Sequence, residues 1–328
     1  MTDPAVLNNP HADRVKKVAS LATRAGRRRQ RLFLAEGPQP VREALTLWLR
    51  RWEGVPDGAA RHPASAVKGL PELDALFFDA EALSAHPDLQ ALLDQARGVL
   101  FDPQAALPRP ARFFLREATA EVLAAMGDAE TSQGVLAVCR IPQTGASDGG
   151  ADPLESLLGG PESSGAPAGL VAGLLGVQDP GNAGTIIRTA DAAGAFAVVL
   201  TPGSVDPWAP KVVRSAAGSH FHLPLLTGTD PQRLVAIARS AGLQVLAADG
   251  GGEVPLPEME DLGSPTLWLL GNEAHGLSSE QRGLADRRVS IPLYGQAESL
   301  NVATAATVCL YASAMARAEA GGAVGETP

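Results

Sequence analysis

Aromatic side chains are scarce in this 328-residue chain, at 4% of positions. Ala and Gly are abundant, and 45% of the chain is apolar, so cores should form and pack closely through small residues. Cysteine is nearly absent. Cys139 and Cys309 show no metal or redox spacing, and both lie in apolar runs. They read as buried thiols in a reducing compartment. Long hydrophobic runs are also missing. The longest charge-free helical run, residues 301–316, is 16 residues long and carries Asn, Thr and Ser. A membrane span needs ~20 apolar residues. The start, Met1-Thr2-Asp3-Pro4, lacks a signal-peptide pattern. A cytoplasmic protein without a membrane partner is expected. His220 and His222 sit two apart on an expected strand, but two ligands without a third do not make a metal site, and no metal is expected.

Net positive charge is lacking overall, at −9, yet its distribution is uneven. Residues 11–51 hold eleven Lys and Arg against three acids, leaving that segment at +8 and the remainder at −17. Such asymmetry marks one segment for a polyanion. The cluster Arg27, Arg28, Arg29 and Arg31 is expected to contact RNA or phosphate.

The pattern of elements suggests two domains. Residues 1–12 read as a disordered tail. Residues 13–142 alternate strands and helices as a small α/β domain: a basic helix with Val15, Val18 and Leu21 inward, a strand 31–37, a helix 40–52, and further elements that include a short strand at 99–102. Phe33 and Glu36 read first as strand packing and a cap, with RNA contact as the alternative. Residues 143–168 are rich in Gly, Ser, Pro and Ala and read as an interdomain linker. From residue 169 to 328, apolar strands of the doubly buried kind alternate with helices, which points to a largely parallel sheet covered on both faces.

Three polar loops follow apolar strands in this second domain, at 178–184, 271–277 and 294–301. In a parallel sheet such loops share one edge, where ligands bind. Asn182, Arg188, Glu273, Ser299 and Asn301 are therefore expected to converge. Each has a plainer reading: Asn182 or Ser299 as a cap, Arg188 as a surface residue, and Glu273 and His275 as turn residues. Ser299 and Asn301 precede the long apolar run and signal a helix start.

The order and content of these loops resemble a known family. Asn182-x-Gly184-x-x-x-Arg188-Thr189-Ala190, Gly271-Asn272-Glu273-x-x-Gly276-Leu277, and Ile291-Pro292 through Ser299-Leu300-Asn301-Val302 resemble the three motifs of SpoU-type RNA ribose 2′-O-methyltransferases of the SPOUT superfamily. Lys211 to Gly218 resembles the segment between the first two motifs, and Lys211 and Arg214 join the expected RNA contacts. The basic start, with Phe33-Leu34-Ala35-Glu36-Gly37, is similar to the substrate-binding domain fused to many members, which is like a ribosomal protein fold.

The resemblance implies a deep trefoil knot, a homodimer, and S-adenosylmethionine held largely by backbone groups at Gly271, Ile291 and Leu300, with Leu293 nearby. The absence of a Gly-x-Gly-x-x-Gly turn between a strand and a helix agrees, because it argues against the open Rossmann methyltransferase class. The implied reaction moves a methyl group from the sulfonium to a ribose 2′-oxygen. Arg188 is expected to clamp the adjacent phosphate and stabilise the developing oxyanion; a guanidinium of pKa above ~12 is a poor base. Asn182, Glu273, Ser299 and Asn301 would orient Arg188 and the ribose. Ribosomal RNA is the expected substrate. The alternatives are transfer RNA, or a non-catalytic RNA-binding or ribosome-assembly protein.

Overall fold

A computed structural model of the chain describes residues 6–52, 69–102, 107–142, 153–159 and 169–321. In chain order the first elements are α1 (Asp13–Ala19), α2 (Arg24–Gln30), β1 (Leu32–Glu36), α3 (Pro38–Trp52), β2 (Glu72–Phe78), α4 (Ala80–Leu83), α5 (Pro87–Phe101), β3 (Phe114–Glu117), α6 (Ala120–Met126) and β4 (Val135–Arg140). Then come α7 (Pro153–Gly159), β5 (Leu170–Leu174), α8 (Pro180–Ala192), β6 (Ala197–Leu200), α9 (Pro210–Ser215), β7 (Leu225–Thr227) and α10 (Pro231–Ser240). The last are β8 (Gln244–Ala248), β9 (Val254–Pro255), β10 (Thr266–Leu270), α11 (Ser279–Arg282), β11 (Arg287–Ser290) and α12 (Val302–Gly321).

The chain divides into two compact units. The first holds residues 1–143 together with Trp208–His222; the second holds residues 144–207 and 223–328. The expected boundary at 169 thus differs in two ways. Trp208–His222 packs with the first unit, because Trp208 and His220 join Phe33 in a ring cluster (Phe33–Trp208 centroids 4.8 Å apart). Within the expected linker, Pro153–Gly159 is helical, and Leu154 is fully buried in the core of the second unit. The rest of 143–168 lies outside the described residues.

The first unit has a four-stranded sheet in the order β1-β4-β2-β3, antiparallel except for β2–β3. Val15, Val18 and Leu21 are buried against it as their spacing predicts. Several readings change. Leu7 pairs beside Ala118, its N–H donating to the Glu117 carbonyl at 2.9 Å, so the tail expected over 1–12 is ordered there; residues 1–5 lie outside the described residues. The strand expected at 99–102 is the end of α5. Apolar runs this short do not distinguish strand from helix. His220 is buried in a short 3-10 turn while His222 is exposed, so the two do not share a strand face. Phe33 is buried in β1, as the packing reading has it, and Glu36 accepts from the N–H of Asp128 at 3.0 Å, just beyond the end of α6 rather than at a helix start.

The second unit is built on a seven-stranded parallel sheet in the order β7-β6-β5-β10-β8-β11-β9. Its central strands β5, β6 and β10 are buried throughout, as continuous Val/Ala/Leu runs dictate for strands covered on both faces. α12 packs on α8 and across β5, β8 and β10. The buried Trp268 indole donates to Ser313 Oγ at 3.0 Å and fixes that helix to the sheet. No helix among the described residues is long and apolar enough to cross a membrane.

Candidate active site

All strands of the second sheet point the same way, so the segments after β5, β10 and β11 emerge at one edge. β5 and β10 are neighbours, and β8 alone separates β10 from β11. The sequence then fixes each loop locally. Asp179 caps α8, its Oδ1 accepting from the N–H of Asn182 at 2.8 Å, with Pro180 in the first turn where a missing N–H costs nothing. After β10, Asn272 and Gly276 exchange backbone hydrogen bonds of 3.1 and 2.9 Å. Gly276 takes φ +63, and a Cβ on Gly271 would lie 2.4 Å from the Gly276 carbonyl carbon. The missing side chain of Gly271 lets this loop close on itself. After β11, residues 291–301 are irregular and run into α12, which Asn301 caps with Oδ1 accepting from Ala303 N at 2.8 Å. Ser299 makes no capping bond.

Three of the five expected catalytic residues meet through hydrogen bonds. Asn301 Nδ2 donates to Asn182 Oδ1 at 3.0 Å, and Asn182 Nδ2 donates to Glu273 Oε1 at 3.2 Å. The direction of this relay is forced. Asn301 Oδ1 must accept to cap its helix, so its amide nitrogen donates, Asn182 must accept, and the remaining Asn182 nitrogen faces a carboxylate. Glu273 also accepts from the backbone N–H of Gln178 at 3.0 Å and of Asp179 at 2.9 Å. Partial burial alone would raise its pKa; the N–H groups of Gln178, Asp179 and Glu273 itself, with the Asn182 amide, outweigh this and hold it below the ordinary carboxylate range. One residue from each motif is thus tied into a single network.

Arg188 and Ser299 stand outside that network. Arg188 is exposed on α8, ~9 Å along the axis from Asn182 at 1.5 Å per residue. Among the described residues its side chain makes no ion pair or hydrogen bond. Its neighbour Thr189 donates to Thr307 Oγ1 at 3.1 Å, because the Thr307 hydroxyl is committed to the Ala303 carbonyl; this joins α8 to α12. Ser299 is exposed on the open loop.

Of the expected cofactor positions, Gly271 is buried, Ile291 half-buried, and Leu293 and Leu300 exposed. Tyr294 beside them is 92% exposed. No hydrogen bond joins the backbone of 291–300 to another described residue. Free amides and carbonyls interleaved with exposed apolar side chains fit a ligand with an apolar face and a polar heterocyclic edge, which is the character of S-adenosylmethionine.

The basic residues separate into two groups. Arg28, Arg29, Arg31 and Lys211 are exposed. Arg27 is a correction: it is 4% exposed and its guanidinium donates to the carbonyls of Leu21 at 2.9 Å and Ala22 at 2.8 Å, so it holds the α1–α2 corner. Arg214 is committed as well, to Glu36 at 3.0 Å and Asp128 at 2.9 Å, all within the first unit. Sequence reasoning missed Asn272, whose Oδ1 accepts from Ala274 N at 2.9 Å and whose Nδ2 donates to the Gly176 carbonyl at 2.8 Å, bridging the first two loops. It also gave no role to Asp179, although an Asp-Pro pair before a helix is a legible cap signal.

Comparison with known proteins bears on this geometry. Residues 169–311 match the model of the SpoU rRNA Methylase family. A Bacillus subtilis protein named a 23S rRNA guanosine 2′-O-methyltransferase is 38% identical over 191 residues, 58% of this chain and 68% of that one. A Streptomyces viridochromogenes protein named a 23S rRNA uridine 2′-O-methyltransferase is 43% identical over 137 residues, 40% of this chain and 47% of that one. The solved structure of the SpoU methyltransferase AviRb from Streptomyces viridochromogenes with the cofactor AdoMet aligns at TM-score 0.67 and 28% identity, covering 94% of this chain and 98% of that one. An AdoMet-bound rRNA methyltransferase from Sinorhizobium meliloti aligns at TM-score 0.68 and 26% identity, covering 94% and 97%. The relay joining all three motifs and these likenesses lead to one conclusion: the chain belongs to the SpoU rRNA methylase family.

Proposed function

We propose that this protein is an S-adenosylmethionine-dependent RNA methyltransferase that modifies a ribose 2′-hydroxyl in ribosomal RNA. The observation that carries the reading is the Asn301–Asn182–Glu273 relay, which draws the loops after β5, β10 and β11 into one site. The names of the whole-chain structural neighbours and of the curated relatives support ribosomal over transfer RNA. Ribose chemistry separates RNA from DNA automatically.

When bound, S-adenosylmethionine supplies an electrophilic methyl group. Gly271, Ile291, Leu293 and Leu300 would hold it, through the free backbone of 291–300 and the apolar side chains beside it. Arg188, exposed and without a side-chain partner among the described residues, clamps the phosphate next to the target ribose and stabilises negative charge as the 2′-oxygen attacks. Glu273 is a positioning residue, because a carboxylate holding three donors with a lowered pKa is a poor proton acceptor. It orders the 178–182 turn from which α8 and Arg188 start. The Ser299 hydroxyl is free to meet the ribose. Arg28, Arg29, Arg31 and Lys211 supply the basic surface for the RNA backbone.

The active form is a homodimer. α12 leaves Val308, Tyr311 and Met315 exposed at helical spacing, an apolar stripe that a second copy would cover. The knotted path that the family resemblance implies is part of the same reading. A cytoplasmic location is part of the same reading, and the two buried free thiols support it.

The test is Arg188→Ala. Methyl transfer to ribosomal RNA should fall by ~10²-fold or more, as for loss of a key oxyanion donor, while calorimetry shows S-adenosylmethionine binding unchanged. Full transfer by the variant would overturn the role given to Arg188.

A further inference from the structure

The first unit contains a cavity of about 240 Å³ between α1 and the sheet, outside everything assigned above. That volume is below the ~300 Å³ at which drug-sized sites begin, which suits one heterocycle rather than a folded element. Leu32 and Val138 form part of an apolar floor, and Arg14 and Lys17 stand exposed at the rim. The Arg14 guanidinium carbon sits 3.9 Å from the Phe114 ring centroid, a cation–π contact that holds it at the rim. Gln30 and Asp74 supply the polar wall. The Gln30 amide nitrogen is spent on the Lys17 carbonyl at 3.0 Å and Ser20 Oγ at 2.8 Å, which leaves its oxygen as an acceptor. Asp74 pairs with Arg140 at 2.9 Å and presents its carboxylate oxygens as acceptors.

We propose that this cavity binds an unstacked guanine of the RNA substrate. The proposal rests on the reading of the chain as RNA-binding and names a subsite within it. The base lies on the apolar floor, as unpaired RNA bases commonly lie on protein surfaces. Its N1–H and N2–H donors face Asp74, with Gln30 alongside. Arg14 and Lys17 take the flanking phosphates, within the segment of charge +8. Uracil offers one donor flanked by carbonyls, which a carboxylate repels, so discrimination against it is built in.

The test uses the full chain and short single-stranded oligouridines with or without one central guanosine, read by fluorescence anisotropy. The guanosine oligomer should bind about tenfold tighter. Asp74→Asn should erase that preference, and Lys17→Ala should weaken both oligomers about equally. As a readout independent of variant folding, ultraviolet cross-linking of the wild-type chain should place the guanosine adduct within residues 14–32 or at Asp74. RNA binding without guanosine preference, or adducts only elsewhere, would overturn the subsite while leaving the RNA reading intact. Failure of the chain to bind any RNA would overturn both.

Discussion

The side-chain amide of Asn301 carries two tasks at once. Its oxygen caps α12 and its nitrogen reaches Asn182, so Asn301→Ala should remove a cap worth ~1 kcal/mol and break the relay. Chemical denaturation should show that loss, with methyl transfer reduced as well. Ser299 offers the contrast, since it caps nothing: Ser299→Ala should leave stability within ~0.5 kcal/mol and lower transfer alone. Glu273 gives a pH signature. Its pKa is lower folded than unfolded, so in the window between the two the unfolded chain binds more protons and stability rises with pH. The contribution is complete above the unfolded carboxylate value of ~4.3 and is lost as pH falls through the lower folded value. Glu273→Gln should flatten the acid limb of a stability-against-pH curve; an unchanged limb would contradict the network. The convergence of Asn182, Glu273 and Asn301 was legible because strand-then-polar-loop patterns mark one edge of a parallel sheet. The burial of Arg27 was not, because nothing in a run of arginines shows which one turns inward to free carbonyls.

Two elements show where local pattern and tertiary context part. α7 lies in a stretch whose composition reads as linker, yet Leu154 is buried in the core with Leu157 and Leu158 packed beside it. Leu154→Ala should cost ~2–5 kcal/mol in a denaturant titration, whereas a true linker residue would cost almost nothing. The loop after β10 depends on glycine for its own closure. Gly271→Ala forces the added carbon against the Gly276 and Leu277 backbone, at 2.4 and 2.5 Å, and overpacking of this kind costs ~1–3 kcal/mol. Because that backbone also carries Glu273, S-adenosylmethionine affinity should fall with it. The continuous apolar strands β5, β6 and β10 were readable from composition alone. The end of α5 was not, since a four-residue apolar run has no period long enough to separate helix from strand.

In the whole chain, the return of Trp208–His222 to the first unit was invisible in the sequence. Its anchors are a ring cluster and the Arg214 pairs with Glu36 and Asp128, contacts between residues far apart in the chain that no local pattern encodes. The proposed dimer belongs to the same level of organisation. Tyr311→Glu with Met315→Glu should convert a sedimenting dimer to monomer, by placing charges in the stripe a second copy covers; a wild-type chain that sediments as a monomer would contradict that part of the reading.

The central claim is tested most directly by the product. Ribosomal RNA from cells lacking this protein, incubated with the purified chain and isotope-labelled S-adenosylmethionine, would be digested to nucleosides and resolved by mass spectrometry. The account predicts label in one 2′-O-methylated ribonucleoside, lost with Arg188→Ala. Label on a base, or no label in RNA, would contradict it.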